Sequence, residues 1–136
     1  MAHNTFVDNL EGDGVGVHVD TGSTVLLYNN IVVGRSVGIT NADIDGSSVE
    51  ADYTLFEGNG MDYGPGVDSS YEIPGPAMLL TDYHLGSGSG AMNTAVTLPW
   101  VTRDIDGDRR PIGTGCDIGA DEYVAHVCVP LALRGR

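Results

Sequence analysis

One stretch of this chain is written twice. Ser23-Thr-Val-Leu-Leu-Tyr-Asn-Asn-Ile-Val-Val-Gly34 aligns without a gap on Ser47-Ser-Val-Glu-Ala-Asp-Tyr-Thr-Leu-Phe-Glu-Gly58, at an offset of 24 residues. A partial third copy precedes them, with Asn4-Thr-Phe-Val-Asp-Asn9 falling on residues 29–34 at an offset of 25. Between the copies, Val15-Gly-Val-His18 matches Val37-Gly-Ile-Thr40. A repeat of roughly 20 to 50 residues restricts the fold to a solenoid, a propeller or an array, because each unit is too small to bury its apolar face alone.

The columns of the repeat narrow the choice. Val25 sits over Val49 and Leu27 over Ala51, small or apolar in both copies, while Leu26 sits over Glu50 and Tyr28 over Asp52. That alternation has period 2, so these are strands with one face in and one face out. Phe6, Ile31 and Leu55 make a further apolar column, and Thr5, Asn30 and Thr54 a polar one able to hydrogen-bond along a stack. Val7, Val32 and Phe56 form an apolar column directly beside another, which calls for a bend or a covered outer face. Short strands joined by Gly, Asn, Asp and Ser turns read as coils of a parallel β-helix, with strands about 4.8 Å apart.

The length of 136 residues fits one domain. Lys and Arg number 6 against 19 Asp and Glu, a net charge of −13, which repels nucleic acid and anionic membranes. No stretch is apolar over the roughly 18 residues a spanning helix needs. Met1-Ala2-His3-Asn4 runs straight into a strand pattern without a leader signature, so the chain is expected to begin inside a longer solenoid. The expected organisation is coils over 1–58, a loop excursion and last coil over 59–93, a capping segment over 94–123 with a closing strand at 117–123, and a tail over 124–136.

The later part carries a resemblance. Asp82-Tyr-His-Leu85, Ser89-Gly-Ala91, Asp104-Ile-Asp-Gly107, Arg110-Pro111 and Asp117-Ile-Gly-Ala120 with Glu122 resemble the C-terminal signature of right-handed parallel β-helix proteins of the secreted bacterial choice-of-anchor type. That signature is commonly written DYHL…SPA…DxDGxxRP…DIGAxE; Gly90 stands here where the family usually has Pro. The upstream coils, with Asn29-Asn-Ile31 and Asp52-Tyr-Thr-Leu55, resemble the last coils of the same family, and the tail from Val127 to Arg134 resembles the ends of bacterial surface proteins. The resemblance implies an all-β, right-handed parallel β-helix of about three coils with a C-terminal cap. It also implies an extracellular or cell-surface location, and no particular activity.

Candidate sites are few. Asp104, Asp106 and Asp108, at alternate positions around Gly107, could chelate calcium, or could simply hold a turn through side-chain bonds to backbone N–H groups. Asp43-Ile-Asp-Gly46 repeats the pattern less well. His18 and His84 could act as general bases if a carboxylate lay close, or fill structural positions. Cys116 and Cys128, 11 residues between them, suit a disulfide worth about 3 kcal/mol or two separate thiols. Tyr28, Asp52 and Tyr53 are the side chains best placed to contact sugar rings.

Parallel β-helices host polysaccharide lyases and hydrolases, but fold alone does not license activity. The Asn-Thr-Asp, Asp-Asp and Gly-His-Gly motifs of polygalacturonase-type hydrolases do not occur in this sequence, which has no Lys. The expectation is a non-catalytic extracellular module, structural or contacting polysaccharide, without a cofactor unless calcium binds. The alternative is the C-terminal fragment of a polysaccharide lyase or glycoside hydrolase. The first coil is expected to present an open edge, through which the chain could self-associate.

Overall fold

The computed structural model describes residues 1–8 and 14–125. Its strands are β1 (Thr5–Val7), β2 (Val15–Val19), β3 (Thr24–Tyr28), β4 (Ile31–Val33), β5 (Val37–Asn41), β6 (Ser48–Asp52), β7 (Thr54–Glu57), β8 (Val67–Asp68) and β9 (Glu72–Ile73). The fold is all-β, with no helix among the described residues. Three sheets form, ordered β1-β4-β7-β9, β2-β5 and β3-β6-β8, and every strand pair in them is parallel. Each of β1 to β4 pairs with the strand three places on, and β6 and β7 with the strand two places on. The chain therefore visits the three sheets in turn and adds a parallel strand to each.

The register follows the repeat. Val25 pairs with Val49, Leu27 with Ala51, Val17 with Ile39 and Ile31 with Leu55. The first copy differs from the expected alignment by one residue. Thr5 lies beside Ile31, and Phe6 beside Val32. The polar column thus starts at Asn4, whose backbone N–H and side-chain amide both donate to Asn30 Oδ1. Residues 59–75, read as an excursion, belong to the stack. Tyr63 bridges to Ile39, β8 extends β6 and β9 extends β7. Ladder pairing is made by backbone groups, so a rung persists where side-chain similarity has gone.

The neighbouring apolar columns explain the rest of the architecture. Leu27, Ile39, Val49 and Ala51 form a buried cluster between the three sheets, joined by Val17, Val25 and Phe56. Ile31, Leu55 and Ile73, whose side chains leave the same sheet on its other side, form a second cluster with Ala77, Leu85, Ala91 and Ile118. The sheet β1-β4-β7-β9 is therefore covered on both faces at its middle strands, and β4 reads as a continuous apolar run. Of the two solutions the sequence left open, the covered outer face is the one adopted.

What covers that face is residues 77–123, which join the end of the stretch expected as loop and last coil, through Ala77, Leu85 and Ala91, to the expected capping segment, through Ile118. This segment lies along the flank of the stack, from Ile73 on the last rung back to the first. Gly119 N–H donates to Asn29 O, Ala120 N–H to Thr5 Oγ1, and Val96 exchanges hydrogen bonds with the Asn29 side chain. Residues 117–123 are not a strand, because their N–H groups bond to carboxylates of the same stretch and of Asp104, to Ala91 O and Asn29 O and to Thr5 Oγ1 rather than to a ladder. The N-terminus continues the β3 sheet by one bridge, Ala2 to Tyr28.

Candidate functional site

Two polar clusters hold the flank segment in place, one closed and one open. The closed one joins both ends of the described chain. Arg110 is buried and follows a turn into a cis peptide with Pro111. Its guanidinium donates to Glu122 Oε1 at 2.9 Å, to Asp117 O at 2.8 Å and to Gly119 O at 2.8 Å. Glu122 also accepts from the backbone N–H of Asp117 and Ile112, and Asp117 from those of Asn93 and Tyr123. Gly119 has φ +92°, and a Cβ there would meet Ile31 Cδ1 at 2.6 Å. The residues of the DIGAxE and RP signatures are thus an interlocking set with few spare valences.

His3 completes this cluster. Its Nε2 faces the side-chain amide of Asn29 at 2.9 Å, and its Nδ1 faces Asp117 O at 3.1 Å. The Asn29 amide is fixed by its exchange with Val96, so it donates to His3 Nε2. Nδ1 therefore carries the proton and donates to Asp117 O. Burial, with the Arg110 charge beside it, lowers the His3 pKa to about 4.

The open cluster lies on a cleft. Leu79 and Leu85 bridge antiparallel, closed by Leu80 N–H to His84 O and Gly86 N–H to Met78 O, which presents Asp82 and His84 on a tight turn. A second turn is built by Asp104. Its Oδ1 accepts from the N–H groups of Asp106 and Asp108, and its Oδ2 from that of Glu122. The flank segment supplies Asp121, only 6% exposed, whose Oδ2 accepts from Leu85 N–H. His84 Nε2 lies 2.8 Å from Asp106 Oδ2, and ligand atoms of His84, Asp106 and Asp121 all fall within 4.8 Å of one another. His84 Nδ1 is 3.2 Å from Asp82 Oδ1, an ion-pair distance, but it is not aligned for a hydrogen bond. Asp106 and then Asp82 raise the His84 pKa, and burial raises that of Asp121. Cavities of about 450 and 410 Å³ share Asp82, His84, Asp106 and Asp121 in their walls.

The residues singled out in the sequence are dispersed. Of the aspartate loop, Asp104 is occupied in shaping the turn, Asp106 meets His84, and Asp108 lines the cleft. Asp43 organises the turn between rungs, accepting from Gly22 and Gly46 N–H. His18 is exposed on β2 beside Thr40. Tyr28 donates to Glu50 on the next rung, Asp52 Oδ1 accepts from Ser70 and Tyr71 N–H, and Tyr53 packs on Tyr71 at a ring separation of 4.8 Å. Cys116 is buried, which pushes its thiol up; Cys128 lies outside the described residues. The partners that His84 lacked in the sequence prove to be Asp82, two residues away, and Asp106 and Asp121, brought in by the fold. The chain spacing of the last two carried no signal.

Comparison with family models, with curated proteins and with solved structures finds no match to this chain. No helix among the described residues is long and apolar enough to cross a membrane.

Proposed function

We propose that the chain is a right-handed parallel β-helix module of a secreted or surface-attached protein, and that it serves as a rigid, non-catalytic spacer able to contact polysaccharide. The observation that carries this reading is the direction of its polar side-chain bonds. Asn4 to Asn30, Tyr28 to Glu50, Ser23 N–H to Ser47, Asn41 to Gly66 O, Asn59 to Val32 O, and Asp52 to Ser70 and Tyr71 all run from one rung to the next. Side chains spent along the stack stiffen it. The right hand is favoured because crossovers between parallel strands of one sheet take it almost always.

Tyr28, Asp52 and Tyr53 remain the positions for a glycan to approach, since their inter-rung bonds hold the two rings in a fixed relation to the carboxylate. The test is a panel of soluble and insoluble glycans, scored for retention and for released reducing or unsaturated ends. Retention without release, weakened by Tyr28→Ala or Tyr53→Ala, is expected. Release of cleaved product by the purified chain would overturn the reading in favour of a lyase or hydrolase.

A further inference from the structure

We infer that His84, Asp106 and Asp121 form a binding site for one divalent first-row metal ion, Zn²⁺ being the representative case. The three ligands come from three stretches of the flank segment that are apart in sequence: the turn at 80–84, the turn at 104–108 and the stretch around Asp121. Their donor atoms are already within 4.8 Å of one another, so a single ion can reach all three. The donor set is one imidazole nitrogen and two carboxylate oxygens. That mixture suits Zn²⁺ and its neighbours, whereas Ca²⁺ takes oxygen ligands.

Charge argues in the same direction. Asp82, Asp106 and Asp121 gather three carboxylates around one imidazole. Among the described residues no arginine pairs with any of the three, and the chain has no lysine. A protonated His84 offsets one of those negative charges; a divalent ion offsets two. Asp121 makes the point most sharply. It is almost wholly buried, it lines the walls of both cavities, and its one hydrogen bond, from Leu85 N–H, is to Oδ2. A buried carboxylate without a cation is costly.

Asp82 is the positioning residue. It stands 3.2 Å from His84 Nδ1, the ring nitrogen away from Asp106. Metal-bound histidines commonly donate from their other nitrogen to a carboxylate. A small rotation of the ring aligns that bond and turns Nε2 toward the ion. The remaining coordination positions open onto the cleft of about 450 Å³, where water or an oxygen-rich ligand completes the shell.

The test is calorimetric titration of the full chain with ZnCl₂, with circular dichroism melts of each metal-free variant as the folding control. One ion per chain is expected. His84→Ala and Asp106→Asn should each weaken binding at least about tenfold, and Asp82→Asn about tenfold through its hold on the ring. Asp45→Asn and Cys116→Ser should leave affinity unchanged, which separates this site from general surface acidity and from the thiols. Asp106 lies on an exposed turn, so its variant stays informative if His84→Ala fails to fold. Absence of saturable Zn²⁺ binding, or binding that survives Asp106→Asn undiminished, overturns the proposal.

Discussion

His3 shows how much one side chain can carry. It sits at φ +53°, a backbone region that few residues other than glycine and asparagine enter easily. It is neutral, with a donor toward Asp117 O and an acceptor toward Asn29, and the charged groups around it are Arg110, Asp117 and Glu122. Protonating Nε2 sets a cation against the Asn29 amide and the Arg110 guanidinium. Its folded pKa of about 4 is below the ordinary 6.5, so the unfolded chain takes up the proton first. Stability is then whole above about pH 6.5 and falls toward pH 4, by at most about 1.4 kcal/mol per unit. Burial raises Asp117 and Asp121, which therefore protonate more readily in the folded chain and offset part of the loss at the acid end. His3→Asn keeps a donor and an acceptor, tolerates the backbone angle and does not titrate. Its melting temperature should fall less than the wild type's between pH 7 and pH 4.5, as read by calorimetry. Equal acid sensitivity would show that His3 is not the group responsible. None of this was legible in the sequence, where His3 stands near an end with nothing beside it. Its partners are Asn29, 26 residues on, and Arg110 and Asp117, 107 and 114 residues on.

At the scale of the strand, the sequence was informative where side chains repeat and silent where only backbones do. The columns through Val25, Leu27, Val17 and Ile31 are visible because the interior demands the same kind of residue at each rung. The rung built from Tyr63, β8 and β9 was not visible, because its pairing to Ile39, β6 and β7 asks little of its side chains. The one-residue error in the first copy arose because Phe6 suits the Ile31 and Val32 columns equally well. In the site, likewise, the turn made by Asp104 was legible from local spacing, while Asp121 was not. Gly38 marks a tight place on β5. A Cβ there would lie 2.5 Å from Asp62 O and 2.8 Å from Phe56 Cε1. Space on β5 is given up so that Phe56 can fill the interior. Gly38→Ala should therefore cost about 1–3 kcal/mol, as overpacking does, in spite of the higher strand propensity of alanine. Chemical denaturation measures it, and a neutral or stabilising effect would show that the ring has room to move.

For the whole molecule, the flank segment ties the strands of the sheet β1-β4-β7-β9 together. A simple stack feels only its nearest neighbours, so its rungs can open one at a time. Here residues 77–123 touch the last rung through Ile73 and the first through Thr5 and Asn29, and Arg110 locks the contact. Arg110→Met leaves Glu122 buried without its cation and should cost about 3–5 kcal/mol. Hydrogen exchange followed by mass spectrometry should find peptides 1–8 and 117–123 opening together in the wild type, as one cooperative unit. In Arg110→Met both should exchange faster while the amides of β6 and β7 stay protected. Independent opening of the two peptides in the wild type would mean that the segment is only an appendage.

The same covering segment imposes an order on biosynthesis. The ribosome delivers Ile31 long before Ile118, which completes the burial of its outward face. At roughly 10 residues per second the gap is roughly ten seconds. During that interval the coils can pair among themselves, but the outer surface of their central sheet stays greasy and open to water. Cover comes in stages, with Ala77, Leu85 and Ala91 ahead of Ile118, so that outward face stays partly bare on any nascent chain stopped short of residue 118.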